Sequence, residues 1–364
     1  MSRSRPDHRA LRLATVGFQG FGNVGDEAIL TGIEALLSDS NVRVATVFSG
    51  PIRASVSAFP RAARIVCRRH IPTMRALREL RRIDLLLLTG GGIFNDHWVG
   101  VIPRYFAWTL AARLAGARVA WIGVGVGPIR RRALRWLTRI GARLAHLVTV
   151  RDPTSAGMLG GVGAIVVPDP SVFNQPPDHG RGSGVGIIVR GPLAADTFLE
   201  SRLLEAVVGT LRVLEATGRP SVVLTMAGGA DGVFAERLRA AAVAAGLTAP
   251  VIEELGPAPA DALARLSALS GVITVRLHGM LLGALAGVPI VPIAYDMKVR
   301  AAAEQLGLGD LVVALRDVSA ALLLDRLEEA ASDRRRTEVG RRLEIMRNQR
   351  EAIAGAIVTA GTRR

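Results

Sequence analysis

Arg276 and His278 stand two positions apart in VITVRLHGMLLGALAGVPIVPIAYDMK (272–298), where an apolar run of strand character gives way to a small-residue helical pattern. A guanidinium beside an imidazole suits the binding of an anion next to a group that moves protons. In open parallel sheets ligands sit beyond the carboxyl ends of the strands, so the residues that follow each strand are the ones placed to do chemistry. By that criterion Arg151, after LVTV, is a further cation candidate. A guanidinium there clamps a carboxylate or phosphate, or, for Arg151 equally, pairs with a neighbouring acid. His8, His70, His97, His146 and His179 have less informative surroundings.

Two glycine-rich segments also follow strand-like runs. GFQGFGNVGDEAIL places Gly20, Gly22 and Gly25 in the dinucleotide spacing G-x-G-x-x-G. Asp26 and Glu27 would put negative charge where a pyrophosphate must bind, and the next strand ends in Phe48-Ser49-Gly50, without the acid that holds a ribose. The segment therefore reads as a tight turn that points Asn23, Asp26 and Glu27 into a cleft, with helix capping as the plainer role for Asn23 or Asp26. TGGGIFND brings Gly91, Gly92, Asn95 and Asp96 together, and its glycines permit either close ligand approach or a tight turn. Asp152 and Pro153 have the pattern of an N-cap and first helical residue. No metal-ligand spacing such as H-E-x-x-H occurs, and no metal is expected.

Alternation of short apolar runs with helical periodicity predicts parallel sheets built from βαβ units. Strands are expected near 11–17, 42–48, 84–89, 119–124, 147–150, 165–167, 185–190, 221–226 and 272–275, with a further one ending at Tyr295-Asp296. DPSVFNQPPDHGRGSG interrupts the pattern and reads as a linker. The expected fold class is α/β, two Rossmann-like doubly wound domains facing a cleft. Residues 1–172 form the first domain, 173–184 the linker, 185–317 the second domain and 318–364 a charged helical segment.

Cys67 is the only cysteine, which excludes an intramolecular disulfide and points to a reducing compartment. The amino-terminal stretch has no signal-peptide core, and the longest apolar stretch, 106–126, is interrupted by Arg113 and Arg118, so no membrane span is expected and the cytoplasm is the expected location. A net charge of +15, with Lys298 as the sole lysine and aromatic residues at 4%, comes from arginines spread along the chain without a nucleic-acid motif. Nucleic-acid binding is not expected, whereas peripheral contact with the inner face of an anionic membrane is compatible with the charge.

With GNVGDEAIL, TGGGIFND, VRDPTS, PDPS and RLHGM…GVP…YDMK in this order, the chain resembles the polysaccharide pyruvyl transferases from about Gly17 to Leu308. The resemblance implies a GT-B-like fold and transfer of a pyruvyl group from phosphoenolpyruvate to sugar hydroxyls of a cell-surface polysaccharide or its precursor. The product would be a pyruvate ketal, with phosphate released and no cofactor. It also implies donor binding by Arg276 and Arg151, to which the chemistry of a donor with a carboxylate and a phosphate adds Arg190. His278 would do acid/base work. Asn23, Asp26, Glu27, Asn95 and Asp96, better suited to sugar hydroxyls than to an anion, would put the glycan acceptor, free or lipid-linked, mainly on the first domain. Two other readings share this architecture: a glycosyltransferase using a nucleotide sugar, and a non-enzymatic protein that binds anionic glycans through its arginines.

Overall fold

Strands buried on both faces make the centre of each sheet, as the unbroken apolar run LLLLT does in the first. In the computed structural model, which describes residues 10–50, 59, 61–67, 71–96, 100–177, 182–191 and 197–362, seven parallel strands form one sheet. They are β1 (Leu11–Val16), β2 (Val42–Ser49), β3 (Ala63–Val66), β4 (Leu85–Thr89), β5 (Arg118–Val124), β6 (Leu147–Val150) and β7 (Ile165–Val166). Their order is β3-β2-β1-β4-β5-β6-β7. A second parallel sheet holds β8 (Val185–Ile188), β9 (Ser221–Thr225), β10 (Ile252–Glu254), β11 (Gly271–Thr274), β12 (Ile290–Ala294) and β13 (Val313–Ala314). It repeats the same winding, β10-β9-β8-β11-β12-β13.

Strand order reverses between β1 and β4 in one sheet and between β8 and β11 in the other, and each reversal opens a crevice at the carboxyl ends of its strands. The two crevices meet. Val24 N–H, at the start of the helix Val24–Leu37, donates to Met226 O at 3.1 Å, just beyond β9. Asn23 pairs with Ala227 as an isolated antiparallel bridge. Behind this seam a continuous apolar cluster includes Leu13 and Ile29 from the first sheet's side and Met226, Met280 and Leu282 from the second's.

The segment read as a linker begins inside the core. Residues Pro170–Phe173 form a buried 3-10 turn against the helix Val24–Leu37, so close that a Cβ on Gly32 would lie 1.9 Å from Pro170 O. Prolines marked a change of direction correctly, but Val172 and Phe173 carry enough apolar surface to bury that turn. Residues 178–181 of the same stretch lie outside the described residues. Three strands escaped the sequence pattern, β3, β10 and β13, each at or near a sheet edge and two to four residues long. Three helices end the chain, Ala320–Ala330, Asp333–Arg347 and Arg350–Thr362. They strap the second sheet to the first: Arg347 Nη1 donates to Val172 O and Asn174 O at 2.8 and 2.7 Å, and the last helix packs on β1, β5 and β6. No helix among the described residues is long and apolar enough to cross a membrane.

Candidate active site

The helix Leu277–Leu285 leaves β11 with Arg276 as its N-cap residue, and Thr274 Oγ1 fixes the corner by accepting from Arg276 N–H at 3.0 Å. Its residues are small where it must pack closely: a Cβ on Gly279 would lie 2.4 Å from Thr274 Oγ1. This geometry sends Arg276 and His278 into the seam between the sheets. Arg276 Nη2 is ion-paired with the fully buried Asp231, whose carboxylate also accepts from the N–H groups of Gly191, Met226 and Ala227 at 3.3, 3.3 and 3.1 Å.

His278 crosses to the first domain. Its Nδ1 lies over the backbone of Gly25, where a Cβ would be only 2.4 Å away, and its Cε1 lies 3.1 Å from the position a Cβ on Gly91 would take. Its Nε2 stands 3.5 Å from Asp169 Oδ2, and the same oxygen accepts from Arg151 Nη1 at 2.9 Å. Burial pushes the Asp169 carboxyl up, but His278, Arg151 and the Ser171 N–H outweigh it and hold the group well below the ordinary carboxylate range. Asp169 is therefore an anion that ties a cation of its own domain to the imidazole of the other. Gly125 completes the packing, since a Cβ there would be 3.0 Å from Arg151 Nε and Nη2.

Among the described residues the buried Arg151 Nε and Arg276 Nε at this seam have no hydrogen-bond partner and His278 Nε2 has only its 3.5 Å contact with Asp169, whereas the other buried arginine Nε atoms without a partner, on Arg135, Arg202, Arg239 and Arg335, are scattered. Buried donors are ordinarily satisfied, and cationic donors left over at one seam match an anionic ligand.

Lys298, the last residue of the YDMK motif, joins this group. It lies in the first turn of the helix Met297–Gln305, whose N-cap Asp296 accepts from the N–H groups of Lys298 and Val299 at 3.0 and 3.1 Å. Its Nζ is 3.5 Å from where a Cβ on Gly92 would be, and Arg151, Asp152, Asp169, Lys298 and Gln305 line one narrow cavity. Burial first, and then Arg151, bring the Lys298 pKa down to about 8, against the opposing pull of Asp296 and Asp152. Its status as the sole lysine beside so many arginines was the available signal. Arg190 is also nearby, its guanidinium donating to Tyr295 OH and lying 4.7 Å from the centroid of that ring.

Asp26 is the carboxyl of the first helix that reaches the cluster. Burial raises it above the ordinary carboxylate range, opposed by His278, Arg276, the Gly91 N–H and Arg151. Asn23 holds it, donating from Nδ2 to Asp26 Oδ2 at 2.8 Å while capping the helix by accepting from Gly25 N–H at 3.0 Å. Glu27 does not face the cleft as expected. Consecutive helical residues point about 100° apart, and Glu27 is buried with Oε1 accepting from Gly20 N–H at 2.5 Å, where it pins the glycine turn. Asp96 is likewise committed to a loop, since Oδ2 accepts from the N–H groups of Arg130 and Arg131 at 2.5 and 3.0 Å. Asn95 Nδ2 donates to Gly92 O at 2.5 Å and shapes the triple-glycine turn. Asp152 is the N-cap that its pattern implied, accepting from Ser155 N–H at 2.7 Å. His146 is structural, accepting from Val119 N–H at 3.2 Å, and His8, His70, His97 and His179 lie outside the described residues. Among the described residues no group of three His, Cys, Asp or Glu side chains could hold a metal.

Two doubly wound domains with a cation-rich seam between their switch points define a GT-B-like two-domain enzyme. The fold is shared with UDP-GlcNAc 2-epimerase from Methanocaldococcus jannaschii, at 11% identity and a TM-score of 0.59 over 89% of this chain and 94% of that one. It is also shared with the Neisseria meningitidis UDP-GlcNAc 2-epimerase bound to UDP-GlcNAc, at 11% identity and 0.56 over 92% and 98%. A mutant of the Thermobaculum terrenum O-GlcNAc transferase superposes at 0.52, with 20% identity over 97% of this chain and 66% of that one. None of the curated proteins matches the sequence. Residues 23–297 match the polysaccharide pyruvyl transferase family, and the chain belongs to it. It is a pyruvyl-transferring enzyme that acts on polysaccharide.

Proposed function

We propose that the donor is phosphoenolpyruvate and that the enzyme joins its pyruvyl carbon to two hydroxyls of a sugar in a cell-surface polysaccharide or its lipid-linked precursor, forming a ketal and releasing phosphate. The observation that carries this reading is the pair of unsatisfied buried guanidinium donors on Arg151 and Arg276 beside the His278 imidazole at one seam. A donor with a carboxylate and a phosphate needs at least two separate cationic contacts, and Arg276, Arg151, Lys298 and Arg190 offer them.

The proton accounting suits a single imidazole. His278 delivers a proton to the methylene carbon, making it a methyl, while a sugar hydroxyl attacks the adjacent carbon and surrenders its own proton to restore the imidazole. The carbon–oxygen bond to phosphate then breaks, and a second hydroxyl adds to the same carbon; its proton leaves with the phosphate. Two hydroxyl protons thus end as one methyl hydrogen and one hydrogen of monohydrogen phosphate, with no external acid consumed. Asp169 supplies the counter-charge to an imidazolium during this cycle. Lys298 and Arg190 hold the departing phosphate. Asp26, with Asn23 fixing it, contacts the acceptor hydroxyls from the first domain, beside the backbone of Gly91 and Gly92. The domain division at 172 and 185 then separates an acceptor side from a mainly donor side. Catalysis takes place in the cytoplasm.

Incubation of the purified protein with phosphoenolpyruvate and a panel of glycan acceptors should release phosphate at a rate that His278→Ala abolishes. Undiminished turnover in that variant would remove His278 from the chemistry. Turnover with a nucleotide sugar, and none with phosphoenolpyruvate, would overturn the donor assignment.

A further inference from the structure

Between Asp96 and Asp152 the chain carries no carboxylate: residues 97–151 hold ten arginines and no aspartate or glutamate, so two thirds of the net charge of +15 falls in this stretch. It contains the helices Val101–Leu114 and Arg132–Leu144, which pack side by side and bury Ile102, Tyr105, Trp108 and Ala142 in one apolar core beneath the first sheet. Their outer surfaces pair exposed apolar groups with cations. Leu110, Leu114 and Trp136 are 40%, 80% and 65% exposed. Around them Arg113, Arg130, Arg131, Arg132 and Arg143 are exposed, and among the described residues none of the five makes an ion pair with an acid, although Arg113 Nη1 lies 2.7 Å from His146 Nε2. Arg132, Trp136 and Arg143 recur at a spacing that lines one helix face.

Several other exposed apolar side chains have acids close by in the chain, as Phe198 has Glu200 and Val233 has Asp231 and Glu236, and none of the described ones is an aromatic ring set among arginines. Single exposed apolar groups need no explanation. An aromatic ring and two leucines set among arginines without acidic partners among the described residues, over two adjacent helices with no acid in either, have the chemistry of a surface that enters an anionic lipid headgroup layer.

We infer that this face docks on a bilayer containing anionic lipid, with Trp136, Leu110 and Leu114 at the headgroup–acyl boundary and the arginines on lipid phosphates. A strand of nucleic acid fits less well, since base stacking uses aromatic platforms in series and among the described residues this face has one exposed ring. The surface is also connected to the cleft. Asp96 anchors the N–H groups of Arg130 and Arg131 at the entry to the basic helix, and Phe94 pairs with Val126 in the same loop. Docking by this face thus holds the triple-glycine turn at the membrane surface, where a lipid-linked glycan presents its sugars. That consequence rests on the proposed function; the docking itself does not.

Co-sedimentation of the full chain with vesicles tests it. The chain should bind an equal mixture of phosphatidylglycerol and phosphatidylcholine and not phosphatidylcholine alone. Binding should weaken as salt shortens the Debye length from about 10 Å at 0.1 M to about 3 Å at 1 M. The double variant Arg131→Ala/Arg132→Ala should bind the mixed vesicles about 25-fold more weakly, roughly fivefold for each arginine, and Trp136→Ala should also lose binding. All three positions are exposed, and an unchanged thermal unfolding curve confirms that each variant is folded. Full retention of vesicle binding by both variants would overturn the inference. So would a solution dimer that Trp136→Ala dissociates, which assigns the face to a second copy, or tight single-stranded DNA binding without vesicle binding. Vesicle binding needs neither donor nor acceptor, so its failure leaves pyruvyl transfer standing, and absent turnover with intact vesicle binding indicts only the donor assignment.

Discussion

Replacing Lys298 by methionine isolates the contribution of one cation to the donor site. The side chain is half-buried, makes no ion pair among the described residues, and ends 3.5 Å from the position of a Cβ on Gly92, beside Arg151. A hydrogen bond to a charged group contributes about 1.5–3 kcal/mol, so phosphoenolpyruvate should bind about 10- to 150-fold more weakly. The wild-type pH profile carries a second signature. With its pKa lowered by burial and Arg151 to about 8, the ammonium form makes up about nine tenths of Lys298 at pH 7 and about one tenth at pH 9. Donor affinity that depends on the cation is therefore present below about pH 8 and declines above it, by about tenfold at pH 9. Lys298→Arg keeps its charge through this range and should lose the alkaline limb. Titration calorimetry at the two pH values measures both effects. Because the chain has a single lysine, pyridoxal phosphate with borohydride should label Lys298, and phosphoenolpyruvate should protect it; peptide mapping separates this label from the terminal amine. Wild-type affinity and pH dependence in Lys298→Met, or labelling that phosphoenolpyruvate leaves unchanged, would refute the assignment.

Gly25→Ala should cost activity by displacing His278, since the added methyl would fall 2.4 Å from Nδ1; overpacking of this kind costs about 1–3 kcal/mol, and a thermal melt alongside kcat should show a modest stability loss with a larger catalytic one. Asp169→Asn leaves the buried Arg151 guanidinium without its counter-charge and should lower stability by about 3–5 kcal/mol at neutral pH. Because the folded state depresses the Asp169 pKa, the wild type holds that advantage above the ordinary carboxylate range and loses it as pH falls below about 4, so denaturant melts of the two proteins should converge in acid. A strain lacking this protein should yield surface glycans that mass spectrometry finds without a pyruvate substituent.

The strand-tip rule located Arg276, His278 and Arg151 from sequence because a doubly wound sheet leaves its carboxyl ends as the only common meeting place for residues far apart in the chain. The partners of those residues were less legible. Asp169 sits among prolines and glycines that read as a linker, and only the burial of Val172 and Phe173 makes that turn part of the core. Asp231 opens a helix 45 residues before the arginine it neutralises, a pairing no local pattern encodes. Glu27 and Asp26 carry the same charge and adjacent numbers, yet helical geometry sends one under the glycine turn and the other to the imidazole. Overall charge concealed the basic face as well, since a chain rich in arginine everywhere disguises a stretch from which the acids are missing. The edge strands β3, β10 and β13 were too short for alternation to register.

If the seam between the domains is the donor site, it binds phosphoenolpyruvate through Arg276 and its neighbouring cations. Calorimetric titration of the purified chain with phosphoenolpyruvate, run in parallel with UDP-N-acetylglucosamine, tests it without knowledge of the acceptor. Phosphoenolpyruvate should bind saturably, Arg276→Ala should abolish that binding, and the nucleotide sugar should show none comparable. Saturable binding of UDP-N-acetylglucosamine with no heat from phosphoenolpyruvate would contradict it.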